Sequence, residues 1–479
     1  MTMRKPGRLL SAAAAVALIA AACAGQGGPA QSAAATPPIA TSSGQSSAPS
    51  TAAPSTAAFD WKKYSGTEIT FLANQHPWTD GMTPLVAQFT QETGIKVNVQ
   101  PFAEDLYFDK MSLAIKAPTG TADVYFLPDG TSYDQFLAGN IEPLTPYLND
   151  PAKTAADYNL KDFPAGFLGS MYPPGDPTAQ LHGIPISFET YILFYNKDLV
   201  AKYLGGTLPT TMDELTAAAA KISKDGAKDG VAGAVMRGVR SADSIMDTVS
   251  GVVYDSWGDK PAPAPYGLWF DGAWTTPRLT DPLICGGIAN YAKMVAAGPS
   301  NKFALDWPDA TAIFSQGKAA FYIDASLFGP SFEDATKSQV AGKVGYAPLP
   351  PASAGGQSYT GNWTWSLAIP KNAKNKDAGW YFIQWMTNKA NTAKIGASTG
   401  GAPRLSSYSD PTYTGALAPG YVAAVNTAMQ TTRSTSILKG GWSGPATAIV
   451  DGMLAIANGG DATSSCAKAN DALLAAANK

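Results

Sequence analysis

The stretch IPISFETYILFYNKDL, Ile184 to Leu199, decides how this chain is read. It is apolar enough for a strand buried on both faces, yet Glu189 stands in its middle. An unpaired carboxylate in such surroundings is costly, so the fold must bring it hydrogen bonds, a cation, water or a ligand.

Upstream, the pattern alternates regularly. TEITFLA (67–73) is strand-like and MTPLVAQFTQET (82–93) is helical, with Leu85, Val86 and Phe89 on its apolar side. GIKVNVQPF (94–102) alternates like a strand, LYFDKMSLAIKA (106–117) is amphipathic, ADVYFL (122–127) is a buried strand, and SYDQFLA forms a helix closing at Gly139. This order predicts a βαβαβ unit with a parallel sheet. Ligands of open α/β sheets bind beyond the carboxyl ends of the strands. There the chain places Trp78 in NQHPWTD, Asp105 in AEDLY and Asp129 in PDGTS. Trp78, between polar residues, suits a stacking platform; the alternative is a tryptophan that caps the local core.

Downstream, LPTTMDELTAAAAKIS (208–223) carries the capping box Thr211 and Glu214 at a helix start. Strands follow at KAAFYID (318–324) and GNWTWSLAI (361–369), a helix at KDAGWYFIQWMTN (376–388), and a last helix in SSCAKANDALLAAAN. The class is α/β throughout, and a body of about 420 residues exceeds one ordinary core, which calls for two lobes.

The N-terminus reads differently. Arg4, Lys5 and Arg8 precede the apolar run Leu9 to Ala22, too short for a membrane span, so residues 1–22 are expected to be a signal peptide. LIAAAC resembles the lipobox of bacterial lipoproteins, although Ala20 stands where an aliphatic residue is usual; the resemblance implies lipidation of Cys23, the alternative being plain cleavage beside a chance cysteine. Residues 24–58 are almost entirely Ala, Ser, Thr, Pro, Gly and Gln, so lipidated Cys23 and a disordered tether are expected over 23–65. Without the three basic leader residues, the formal balance of 34 basic to 37 acidic residues moves from −3 to −6, which argues against a nucleic-acid surface. Cys285 and Cys466 are left to pair in an exported protein, or to serve as two small buried hydrophobes.

Four segments in order resemble the extracellular solute-binding proteins of ABC importers, in the sugar-binding group that includes maltose-binding protein. They are GIPISFETYILFYNKDL, LPTTMDELTAAAAKI, FSQGKAAFYIDAS and GNWTWSLAIPKNAKNKDAGWYFIQWMTN. The resemblance implies a two-lobed periplasmic-binding-protein-like fold, with a parallel-type sheet in each lobe and crossing strands as hinge. It places lobe 1 at 66–188 and 348–408 and lobe 2 at 189–347 and 409–479. It also implies a monomer without cofactor or metal, lipid-anchored to the outer face of the cell membrane. Such a protein closes its lobes on a sugar or polyol and delivers it to the transmembrane subunits of a permease.

Hydroxyl-rich ligands need carboxylates for paired hydrogen bonds and aromatic faces for C–H patches. Asp129, Glu189 and Asp324 are the expected carboxylates, with Asp105 beside them; Trp78, Trp257 in YDSWGD and Trp363 are the expected faces. Trp363 and Trp365 lie two apart on one strand, so one can line the cleft while the other packs behind. Arg404 resembles the family's Pro-x-Arg loop near the site. For Glu189 the competing expectation is an internal ion pair with an arginine. After YID the family's usual aromatic is replaced by Ser326, Leu327 and Phe328, so either Phe328 takes its place or the site stacks less and takes a smaller or more linear ligand.

Rival classes are a secreted carbohydrate-active hydrolase and a surface adhesin or peptide binder. GASTG (396–400) matches Gly-x-Ser-x-Gly, but Pro403 follows closely, and His76 and His182 both precede Ser398, against the required chain order. A glycosidase would also line its cleft with carboxylates and would turn its ligand over. No dense His/Cys cluster or phosphate-binding glycine loop occurs.

Overall fold

The computed structural model describes residues 58–479 apart from 174–179, 261–267, 272–273, 438 and 479. The leader, Cys23 and most of the tether lie outside the described residues, as does the side chain of Asp105.

Nine strands form one mixed sheet: β1 (Glu68–Asn74), β2 (Lys96–Phe102), β3 (Val124–Pro128), β4 (Ile184–Asn196), β5 (Ala232–Val235), β6 (Ala319–Ala325), β7 (Val344–Ala347), β8 (Thr360–Ala368) and β9 (Thr432–Ser434). The main path runs β2-β1-β3-β8-β4-β6-β5, with β7 paired to β4 and β9 to β8. The outer pairs β1–β2, β1–β3 and β5–β6 are parallel, as helical crossovers require. The central pairs β3–β8, β8–β4 and β4–β6 are antiparallel, and the short β9 adds a parallel pairing to β8.

β4 is the opening stretch. Its first half, Ile184 to Thr190, pairs with β8. From Tyr191 onward it pairs with β6, and from Leu193 also with β7. The strand therefore passes from one half of the molecule to the other, and Glu189 sits at the hand-over. Opposite the β8 side, the Phe188 N–H donates to Gly401 O and the Thr190 N–H to Ser326 Oγ.

Two large cores flank this crossing. One gathers Ile69, Phe71, Val124 and Phe126 with Leu367, Trp380 and Phe382. The other gathers Leu193, Leu215, Val249, Ile288 and Phe321 with Ile449 and Leu473. Helices such as Met212–Gly226 bury one stripe against their core, whereas Lys376–Met386 is buried on every side from Ala378 onward. The helix Met212–Gly226 starts as expected, with Thr211 Oγ1 accepting the Glu214 N–H at 3.2 Å. Glu214, however, accepts from Thr210 N–H and Oγ1 rather than from its cap residue. The expected helix over 82–93 is divided: Pro84 lies in a 3₁₀ turn, Thr83–Leu85, and the α-helix begins at Val86. A disulfide joins Cys285 on helix Pro282–Ala296 to Cys466 on helix Ala462–Ala477, 181 residues apart. GASTG forms the end of helix Lys389–Thr399 and its cap, Gly400, not a strand-to-helix elbow. Among the described residues no helix is long and apolar enough to cross a membrane.

Candidate solute-binding site

The environment of Glu189 answers the question its position raises. Its side chain is only 8% exposed, and Oε1 accepts a hydrogen bond from Trp365 Nε1 at 2.8 Å. His76 Nε2 faces the same oxygen at 3.5 Å. The His76 Nδ1 accepts the Trp78 N–H at 3.1 Å, which places the ring proton on Nε2, toward Glu189. No arginine is its partner; the expected alternative of an Arg ion pair is replaced by an indole and an imidazole.

Strand ends deliver the rest. Beyond β1, Asn74 Nδ2 donates to Glu104 Oε2 at 3.2 Å, and Glu104 opens the helix after β2. Burial pushes the Glu104 carboxyl up, the Asn74 hydrogen bond opposes the rise, and the charge of Glu189 adds to it. Beyond β3, Asp129 accepts from Ser170 Oγ at 2.7 Å and from the Thr364 N–H at 3.2 Å. Burial nevertheless pushes its carboxyl up to about 7.

From the other half, Arg237 follows β5 and Asp247 projects from helix Ala242–Trp257. Tyr191 OH and Arg237 Nη1 donate to Asp247 Oδ2 at 2.9 and 3.3 Å. Burial raises the Asp247 carboxyl to about 7; Arg237 opposes the rise, while Glu189 and Asp324 add to it. Thus Glu104, Asp129 and Asp247 all feel the charge of Glu189, and residues from both sides of the crossing converge on it.

Several buried polar atoms here have no hydrogen-bonding partner among the described residues: Asn74 Oδ1, His76 Nε2 and Asp247 Oδ1. Buried polar groups are ordinarily paired, so such a set marks where a ligand's polar groups fit. Two open cavities, of about 450 Å³ beside Lys374–Ala378 and about 610 Å³ between Pro77–Pro84 and Gly329–Ser331, contain none of these carboxylates. Charged groups on their walls are already engaged, Asp377 by Lys153 and Tyr64, Glu333 by Tyr346. The chemistry, not the open volume, locates the site. Among the described residues no three His, Cys, Asp or Glu side chains converge as metal ligands.

The model of the family described as bacterial extracellular solute-binding protein matches residues 75–393. The chain belongs to that family. The Mycolicibacterium smegmatis erythritol/L-threitol-binding protein is 30% identical to it over 376 residues, covering 77% of this chain and 75% of that protein. A solute-binding protein from Agrobacterium radiobacter K84, solved with ribitol, superposes with a TM-score of 0.71 at 22% identity over 86% of this chain and 99% of that one. One from Agrobacterium vitis S4, solved with D-mannitol, gives a TM-score of 0.70 at 22% identity over 85% and 97%. These two likenesses carry the two-lobed fold.

In this solute-binding protein the structure sorts the expected site residues into two groups. Glu189 and Asp129 lie in the cluster, and half-buried Trp363 pairs with Glu189 across β4 and β8. The outer edge of the Trp363 ring lies over Gly130, where a Cβ would come within 2.5 Å of it, so Asp129-Gly130 shapes the place of that indole. Four other residues are committed elsewhere. Trp78 is a correction: it lies in helix Pro77–Met82, 2% exposed, edge-on to Phe71 and Phe126, because the short helix turns it inward from an otherwise polar stretch. Trp257 packs in the second core, its Nε1 on Lys260 O and Arg278 over its ring at 4.4 Å. Arg404 is 1% exposed, bonded to the carbonyls of Thr387, Asn159 and Tyr158 and to Asp162, and lies over the Phe163 ring. Asp324, fully buried, accepts from Arg237 Nε and Nη2, Tyr322 OH and the Ala325 N–H, which leaves it no free approach to a ligand. Phe328 likewise stacks on Trp307, at a ring separation of 5.4 Å.

His76, Asn74, Glu104, Arg237 and Asp247 were not singled out as binding residues from the sequence. For Arg237 and Asp247 the signal was present: each is an ionisable residue inside an apolar run, AGAVMRG and SIMDTVSGVV, as Glu189 is. For His76, the His-Pro step at a helix start marks a capping side chain held in place.

Proposed function

We propose that this protein captures a sugar or polyol between its lobes and delivers it to the membrane permease of an ABC importer, without chemical change to the cargo. The observation that carries the reading is Glu189, buried on the crossing strand, bonded to Trp365, faced by His76 at 3.5 Å and surrounded by polar atoms without partners among the described residues. Hydroxyl groups, which donate and accept, complete that set. Family membership supports the importer role, and the ligands of the relatives (erythritol or L-threitol, ribitol, D-mannitol) fit the same chemistry.

Closure follows from the strand arrangement. β4 and β8 cross between the halves, so a hinge there brings Asn74, His76, Glu104 and Asp129 against Arg237 and Asp247. The proposed lobes are 66–188 with 348–408 and 189–347 with 409–479; the two large hydrophobic cores support that division. The protein acts as a monomer held by lipidated Cys23 at the outer face of the cell membrane.

A thermal-melt screen tests the reading. A ligand at a hundredfold excess over its dissociation constant stabilises the folded state by about 2.7 kcal/mol. A shift with a sugar or polyol that is recovered unaltered is expected. Shifts with peptides alone, or recovery of a cleaved sugar, would refute it.

A further inference from the structure

We infer that the cargo is an uncharged, open-chain polyol small enough to be enclosed whole, not a ring sugar, an oligosaccharide, a sugar acid or a sugar phosphate. This rests on the solute-binding reading above and narrows its ligand.

Charge excludes the anions. Glu104, Asp129 and Asp247 lie within the field of Glu189, and Asp324 acts on Asp247. The guanidinium among them, Arg237, has Nε and Nη2 on Asp324 and Nη1 on Ser244 O and Asp247. Four of its five N–H groups go to these carboxylates and the Ser244 carbonyl, so its charge is matched within the protein and a phosphate or carboxylate on the ligand would enter a field of its own sign.

Donor and acceptor accounting favours hydroxyls. Asn74 Oδ1 and Asp247 Oδ1 are acceptors without donors, and His76 Nε2 carries a proton without a well-placed acceptor. A run of hydroxyls answers both needs, because each donates one hydrogen bond and accepts others.

Aromatic geometry disfavours rings. A pyranose offers rigid C–H faces that seek flat aromatic partners. Trp78 and Trp257 are consumed by the cores, and Trp365 gives its N–H to Glu189 while its ring meets His76 and Phe126 at centroid distances of 5.5 Å. Trp363 remains, half-buried, edge-on to Trp365 at 67°. One such face makes no two-sided clamp, and an open chain needs none.

Enclosure sets the size. Asn74 is 0% exposed, and Asp129, His76 and Glu189 are buried with it. A chain of sugars running out of the site would have to break this seal.

Calorimetric titration of the purified protein decides the matter, using erythritol, ribitol and mannitol, the aldoses ribose and glucose, maltotriose, gluconate, mannitol 1-phosphate and an amino-acid mixture. One alditol is expected to bind at least about tenfold more tightly than the aldose of equal carbon number, the worth of one to two hydrogen bonds, and the anions to give no heat. Binding of an aldose or maltotriose as tight as any alditol, or tight binding of either anion, overturns this inference while leaving a sugar-binding protein. Binding of amino acids alone, or of nothing, by a protein that melts cooperatively overturns both readings. In a second arm, His76→Ala is expected to weaken alditol binding about tenfold with a cooperative melt retained. Unchanged affinity in His76→Ala overturns the placement of the cargo against His76.

Discussion

Replacing Asp324 by alanine distinguishes a carboxylate that touches ligand from one that holds its neighbours in place. Asp324 is fully buried and accepts four hydrogen bonds: Arg237 Nε at 2.9 Å, Arg237 Nη2 at 2.5 Å, Tyr322 OH at 2.6 Å and the Ala325 N–H at 2.7 Å. Its removal leaves a buried guanidinium with Asp247 at 3.3 Å as the remaining carboxylate. Breaking a buried pair from one side costs about 3–5 kcal/mol, because the surviving charge stays buried without compensation. The Tyr322 hydroxyl adds little, since Thr311 Oγ1 lies 3.2 Å away. A loss of about 3–5 kcal/mol is a large part of the 5–15 kcal/mol typical of folded domains, so the variant folds with a much lower urea midpoint. Affinity for the cargo, measured by titration well below the midpoint, is expected to fall only several-fold, as Arg237 and Asp247 loosen. A normal urea midpoint together with abolished binding would refute the reasoning and return Asp324 to the ligand's contacts.

Three further outcomes follow from the same contacts. Asp129 and Asp247, raised to about 7 by burial, and Asp255, raised likewise, hold a proton in the native state between about pH 4 and 7 that the unfolded chain, with an ordinary carboxylate value near 3.9, has lost. The native state then binds more protons, so stability of the ligand-free protein falls as pH rises through this window, by up to about 1.4 kcal/mol per pH unit for each group, and levels off above it; melting curves from pH 5 to 8 should show that slope, and Asp129→Asn should reduce it by one group's share. Arg404→Ala should lower stability by about 3–5 kcal/mol through the carbonyls and the Asp162 carboxylate it leaves unmatched, yet change the affinity of the folded protein little; a selective loss of binding would place Arg404 in the site after all. Cys285→Ser with Cys466→Ser opens a loop of 181 residues, worth about 5 kcal/mol by chain entropy, and a reductant should lower the melting point of the native protein but not of the double variant.

The fold was largely legible because its signals are local. Alternation and burial place β1, β2, β3, β6 and β8 within a few residues of where they form, and the four family segments place the crossing. Strand order is not local, and the antiparallel centre of the sheet left no mark in the periodicity of individual strands. Side-chain destination was less legible still. Trp78 looked exposed because its sequence neighbours are polar, but a six-residue helix rotates it into the core. Arg404 looked like a site residue because of its loop, but its partners Tyr158, Asn159 and Asp162 lie more than two hundred positions away.

What read correctly at Glu189 reads correctly elsewhere by the same rule. Glu189, Arg237 and Asp247 each interrupt a run that otherwise buries itself, and the fold collects all three at one place. An apolar run tolerates one ionisable residue only if a distant segment supplies its partner, so interruptions in separate runs must seek one another or a ligand. Here they do both. Arg237 balances Asp324 and part of Asp247, while the charge of Glu189 acts against ionisation of both Glu104 and Asp129. If the halves hinge as proposed, that conflict lessens when they part or when hydroxyls donate to the carboxylates. On the proposed function, the carboxylates that bind the cargo therefore also oppose closure in its absence, and one set of residues would set both the affinity and the ligand dependence of the hinge.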